Sequence, residues 1–308
     1  MIVLALTAKA TSATKMKMVA YYHLPGLFEF YSFYARFLPL YKKHREYFYD
    51  WCEIGSIYGA PKGCLWDGGR NGFGQNNPMD VFRLMETYGI SARLTFSNSL
   101  LEEKDLLNPM GNALCSLFEK ETNGIIIHSD LLLKYIQEHY PKFYFVSSTT
   151  KVLTDFQDLK EELNRKEFSF VVPDFRLNPQ LDRWNTLSVF QKQKVEFLCN
   201  ECCMFGCTNR KACYESVSQK NLNKEAKEWI CKSKETYRFS KAMENPGFIG
   251  VEQIQNAYMP MGFRHFKIEG RSLGSALLLE FILYYMTKPE CQLKVREEMY
   301  LENTLDLF

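Results

Sequence analysis

Short apolar runs recur along the chain, and each is separated from the next by a longer stretch with helical spacing. The runs are "KMVAYYHL" from Lys17, "WCEIGSIYG" from Trp51, "SARLTFSN" from Ser91, "NGIIIHSD" from Asn123, "KFYFVSSTT" from Lys142, "FSFVVPDFR" from Phe168, "KVEFLCNE" from Lys194 and "RHFKIEGR" from Arg264. They are rich in β-branched and aromatic residues and apolar on both faces, as strands buried between two layers are. Segments between them, such as "DVFRLMETYG", "LLKYIQEHY" and "DFQDLKEELNR", place apolar residues every three or four positions with charges between, which predicts amphipathic helices. Strand and helix alternating eight times over roughly 250 residues predict an α/β fold, a single (β/α)8 TIM-like barrel; an open doubly wound sheet is the competitor, and even spacing favours closure. No linker rich in Pro, Gly or Ser divides the chain. Residues 16–308 therefore read as one barrel domain behind an N-terminal extension, 1–15, with a last helix around "PECQLKVREEMYLE" packed outside.

In such barrels chemistry gathers at the carboxyl ends of the strands. Here those ends carry a Gly-rich loop closing on Arg70, then Ser97-Asn98, His128-Ser129-Asp130, Ser147 to Lys151, Asp174 with Arg176, Asn200-Glu201, and finally Lys267, Glu269 and Arg271. The first strand offers only His23. Ser129 and Thr150 read as helix caps. In "FKIEGR", alternation sets Lys267, Glu269 and Arg271 on one strand face and turns Phe266 and Ile268 toward the helices. Three charges facing a lumen are costly unless they pair or meet a ligand, and both readings stand. Arg70, Arg176 and Arg271, with Asn98 and Asp174, are the candidate substrate contacts, because arginine grips carboxylates and phosphates in a two-pronged fashion. Glu201 or Glu269 is the candidate acid or base, given a raised pKa beside a buried site, and Lys267 pairs with Glu269 or touches substrate.

The 308 residues are 46% hydrophobic and 24% charged with a net charge of +2, which weighs against nonspecific nucleic-acid binding as the main activity. No run of 18 apolar residues occurs, so no membrane association is expected. The opening "MIVLALTAKATSAT" lacks the basic start of a secretory signal, and a cytoplasmic protein is expected, in which thiols stay reduced. That matters because Val195 to Glu215 holds five of the ten cysteines, and clustered thiols in a reducing compartment bind metal or do chemistry more often than they bridge. Cys199 is in step with the seventh strand and reads as a packed thiol, as does Cys52 in the second. Cys202 cannot easily share the direction of Cys203. Cys203, Cys207, Cys213 and the later Cys231 are the candidate ligands, and thiolates suit zinc or an iron–sulfur cluster. A radical-forming cluster is excluded, since the third cysteine it needs is replaced by Arg210. Cluster, zinc and plain thiols all remain compatible with the spacing. There is no G-x-S-x-G elbow, no H-E-x-x-H, and no legible Cys–His pair; His128 and His265 read as structural.

A resemblance runs along nearly the whole chain from about Lys17. In order come a "YG…GGR" segment, an S-D-x-L segment, a segment ending in "STT", the element Asn200-Glu201-x-Cys203-x-x-x-Cys207-x-x-Arg210-x-x-Cys213-Tyr214, the later Cys231, and the terminal "KIEGR" strand. This ordered set resembles the collagenase-like U32 peptidase superfamily, nearest to a short branch of it. The resemblance implies a barrel. It also implies caution over proteolysis, since several members bind a four-iron cluster through cysteines and take part in oxygen-independent hydroxylation of RNA bases or quinone precursors. Carried over residue by residue, it implies Cys203, Cys207 and Cys231 as ligands. Cys213 stands where the branch has histidine, and Cys64 is a further recruit of the kind cluster-binding relatives use. A small molecule, a nucleic-acid base or a peptide is the implied substrate, and a second chain of the same superfamily a possible partner. A peptidase, and a zinc-stapled accessory protein without turnover, are the alternatives.

Overall fold

The computed structural model describes residues 18–69, 76–226 and 239–300; the expected extension 1–15, Arg70 and Cys231 lie outside them. Strands β1 (Ala20–Pro25), β2 (Cys52–Gly59), β3 (Ala92–Phe96), β4 (Gly124–Ile127), β5 (Tyr144–Ser147), β6 (Phe168–Val171), β7 (Glu196–Leu198) and β8 (His265–Lys267) form one sheet in the order β6-β5-β4-β3-β2-β1-β8-β7. All seven ladders are parallel. A parallel bridge from Val171 to Val195 joins the two ends of the sheet, so the eight strands form a nearly closed (β/α)8 barrel. Near-closure leaves only the short edges of β6 and β7 without a full ladder.

Helices α1 (Tyr31–Lys43), α2 (Pro78–Tyr88), α3 (Pro109–Phe118), α4 (Asp130–His139) and α5 (Phe156–Asn164) each cross from one strand to the next. Their starts follow from the sequence. Asn77 caps α2 by accepting from the Met79 amide with Pro78 next, Ser129 caps α4 as expected, and Asp155 caps α5. Helices α6 (Leu181–Asn185) and α7 (Val189–Lys194) connect β6 to β7; α8 (Arg210–Asn221), α9 (Phe239–Met243) and α10 (Val251–Gln253) lie between β7 and β8. Helix α11 (Ser275–Met286) follows β8, and α12 (Gln292–Tyr300) packs outside on α1 and α11.

Two expectations need correction. The spacing is uneven: the β7–β8 connection runs from residue 199 to 264, far longer than the others. The last two strands are also shorter than their apolar runs. Lys194 belongs to α7, where its ammonium donates to the carbonyls of Leu163 and Arg165, and Glu269 and Arg271 lie beyond β8, Arg271 in the turn that follows.

The core has two parts. The larger fills the space between sheet and helices, where Phe197 packs edge-on against Trp184 and Phe263 and stacks on Phe266. The smaller fills the middle of the lumen with Tyr58, Ile126, Val146, Val172 and Leu198. Alternation along each strand therefore sorts side chains between outer core and lumen. Among the described residues no helix is long and apolar enough to cross a membrane.

Candidate functional site

Below that apolar layer the lumen is charged. Arg93 of β3 and Glu196 of β7 form a salt bridge buried to 1% and 0% exposure. His23 of β1 bonds through Nδ1 to Ser56 Oγ at 2.8 Å, and its Nε2 lies 3.2 Å from His265 Nδ1 and 3.5 Å from Glu196. Lys267 of β8 places its ammonium 3.6 Å from the same carboxylate and 3.8 Å from the centre of the Tyr58 ring. Burial alone would raise the Glu196 carboxyl, but Arg93 above all holds it well below the usual carboxylate range. Burial pushes the Lys267 ammonium down to about 8 against the pull of Glu196. It also pushes His265 down to about 4 and lowers His23, so both imidazoles are neutral at pH 7.

Above the apolar layer, at the carboxyl ends of the strands, lies a cavity of about 70 Å³. Its wall includes Tyr58, Thr95, Ser97, Ser148, Thr149 and Thr150 on one side, and Glu201, Tyr214, Lys267, Glu269 and Arg271 on the other. Lys267 thus belongs to both the buried network and the cavity floor. Thr150, expected as a cap, sits inside a short turn that Ser148 caps instead; its hydroxyl bonds to His128 at 2.8 Å. Burial pushes His128 down to about 4.

The rim is built from mutually satisfied charges. Arg271 meets Glu29 at 2.7 Å and Asp67 at 3.0 Å. Asp174 caps the turn that follows β6, receives two bonds from the Arg176 guanidinium, and lies 3.2 Å from Arg210. Arg210, the first residue of α8, also grips Glu201. Asn98 is spent on loop structure, donating to the carbonyls of Leu65 and Ser218. Asn200 ties β7 to β8 by donating to the Glu269 carbonyl and accepting from its amide. Of the predicted substrate contacts, then, Arg271 lines the cavity, whereas Arg176, Asp174 and Asn98 are committed to protein partners beside it.

The cysteine segment leaves β7 directly over this rim. Cys199 and Cys52 are packed thiols, as expected. Cys64 is also buried in the outer core, beside Cys115, and is not among the residues lining the cavity. Cys202 points to the carboxylates of Glu201 and Glu269, at 3.5 and 3.6 Å; these three offer ligand atoms within 4.8 Å of one another. Cys203 is buried and close enough to Cys207 to feel its charge. Burial pushes its thiol up to about 12, and Arg210, hydrogen bonded to it, opposes that rise. The loop is pinned by Asn245, which donates to the Cys203 carbonyl at 2.9 Å, and by Arg176, which donates to that of Cys207 at 2.8 Å. Cys213 lies in the first turn of α8, half-buried.

A tetrahedral zinc held by thiolates at about 2.3 Å sets its sulfurs about 3.8 Å apart. Cys203, Cys207 and Cys213 are not a group of that spacing among the described residues. A four-iron cluster spreads its thiolates more widely, and the soft donor set, free of disulfides, fits that group chemically. Sequence reasoning missed Arg93, Glu196 and Arg210. The first two were visible as charges in phase with the lumen positions of otherwise apolar runs.

The fold and site define a (β/α)8 barrel with a polar cavity and a thiol-rich loop at its carboxyl mouth. No family model matches the chain, and no curated protein matches it. A solved structure similar to it is that of the U32 peptidase Mk0906, with a TM-score of 0.52 and 9% identity over 85% of this chain and 97% of that one. At that identity the likeness is one of fold.

Proposed function

We propose that this chain binds an iron–sulfur cluster through Cys203, Cys207 and further thiolates, Cys213 and Cys231 being the candidates, and that it modifies a small substrate at the barrel mouth in an oxygen-independent reaction. The observation that supports this reading is the set of free thiols on a pinned loop, directly over a cavity that holds a buried lysine and two carboxylates. The cluster, when bound, supplies electron transfer or a Lewis-acidic iron. The chain's own residues do the rest. Arg210 fixes Glu201, so Glu201 orients the loop through the Cys203 amide, which it accepts at 3.0 Å. Glu269 lines the cavity, where its carboxylate accepts from the Cys202 amide, and is the acid or base. Lys267, poised to titrate near pH 8, moves a proton at the cavity floor. Asp174 and Arg176 hold the loop from below.

Protein purified without oxygen is expected to be brown with about four iron per chain. Cys203→Ala with Cys207→Ala should lose both colour and iron while remaining folded. Equimolar zinc without iron, or iron retained by that double variant, overturns the proposal. The fold likeness to a U32 peptidase keeps a second reading, peptide hydrolysis, which a thiol mechanism would run through a Cys–His pair. The five histidines bond instead to Ser56, Glu46, Thr150, Tyr135 and one another. Peptide cleavage that survives metal removal and is lost in Cys207→Ser would favour this second reading.

A further inference from the structure

Three hydroxyls on the cavity wall, Thr95 Oγ1, Ser97 Oγ and Thr149 Oγ1, are buried without a hydrogen-bond partner in the protein. Thr95 is 6% exposed and Ser97 1%. A buried hydroxyl left unpaired is costly, because it gives up its bonds to water and gains none in return. Three around one small space are donors arranged for an acceptor. Lys267 lines the same cavity.

At the rim, the three guanidinium groups of Arg271, Arg176 and Arg210 are already taken up by four carboxylates, those of Glu29, Asp67, Asp174 and Glu201. In the lower lumen, among the described residues, Arg93 and Lys267 face a single carboxylate, Glu196, with His23 and His265 neutral. The two carboxylates that also line the cavity have partners of their own: Glu201 is held by Arg210, and Glu269 by the amide and thiol of Cys202, at 3.3 and 3.6 Å.

We propose that this cavity binds a carboxylate group of the substrate, seated between Lys267 and the hydroxyls of Thr95, Ser97 and Thr149. A volume of about 70 Å³ holds a carboxylate-sized group. Of the arginines singled out from the sequence for this task, Arg176 is paired with Asp174 and Arg271 with Glu29 and Asp67, and Arg70 lies outside the described residues. The proposal deepens the reading above and rests on it for taking the mouth as the reaction site; anion binding itself needs no metal.

Isothermal calorimetry on the full chain tests this, with acetate as probe and inorganic phosphate and tetramethylammonium as comparators. Acetate should bind saturably and more tightly than phosphate, and tetramethylammonium should not bind. Lys267→Met should weaken acetate by about tenfold or more, and Thr95→Val and Ser97→Ala each severalfold. Affinity should fall as pH rises through about 8, where Lys267 loses its proton. If Lys267→Met fails to fold, the two hydroxyl variants and the pH profile carry the test. No saturable acetate binding up to about 100 mM, tighter phosphate binding, or unchanged affinity in the variants overturns the proposal. Each titration is run on metal-free and on anaerobically reconstituted protein. Acetate binding without iron uptake sinks only the cluster reading, and iron uptake without acetate binding sinks only this one.

Discussion

Glu196 holds more of this barrel together than any residue singled out from the sequence. It neutralises Arg93, lies 3.6 Å from Lys267 and 3.5 Å from His23, and is fully buried. Removing one partner of a buried pair strands the other charge, which costs about 3–5 kcal/mol. Glu196→Ala should therefore lower stability by about that much in a urea titration, whereas Arg93→Met combined with Glu196→Leu should recover part of the loss, because it removes the stranded Arg93 charge and leaves only Lys267 without its carboxylate. The charges of Arg93 and Glu196 were present in "SARLTFSN" and "KVEFLCNE". What the sequence could not supply was their pairing, since 103 residues separate them and only barrel closure makes them neighbours.

At the scale of elements, the loops over the mouth are fixed by contacts that forbid side chains. A Cβ on Gly68 would lie 2.2 Å from the Ser97 carbonyl oxygen. That oxygen is backbone at the end of β3 and cannot swing aside. Gly68→Ala should push the loop off β3, loosen the Asp67–Arg271 pair and cost about 1–3 kcal/mol, checked by thermal melting. The same variant should weaken whatever binds in the cavity, since Gly69 and Arg271 line it. On the opposite wall Arg210 bridges Asp174 and Glu201. Arg210→Lys keeps the charge but loses the fork that reaches both carboxylates, so it should release the cysteine loop and reduce iron retention in the anaerobic protein.

For the whole molecule, three histidines are held neutral inside the fold. Burial lowers His23 and brings His128 and His265 to about 4, from an ordinary value of 6.5. The unfolded chain takes up these protons first, near pH 6.5. Folding stability is therefore intact above that pH and falls as pH drops from about 6.5 toward 4. Lys267 works in the opposite range. Its folded value of about 8 lies below the ordinary 10.5, so the unfolded chain holds the proton longer and stability from this group rises between about pH 8 and 10.5. Urea midpoints measured across pH should show the acid-side loss, reduced in His265→Phe, and Lys267→Met should abolish the alkaline rise.

The alternation of apolar runs and amphipathic stretches was enough to set the barrel, its helices and the assignment of Cys199 and Cys52 to the core, because period and burial are local properties of the chain. The convergence of polar residues at the strand ends was legible for the same reason. The sequence did not reveal which charges pair. Asn98, Asp174, Arg176 and Arg271 are the right kinds of residue for gripping a ligand, and the fold brings each of them a protein partner instead. Tertiary closure brings Lys267 and the hydroxyls of Thr95, Ser97 and Thr149 to one cavity, since electrostatic partnership depends on distance through space, to which separation along the sequence is no guide.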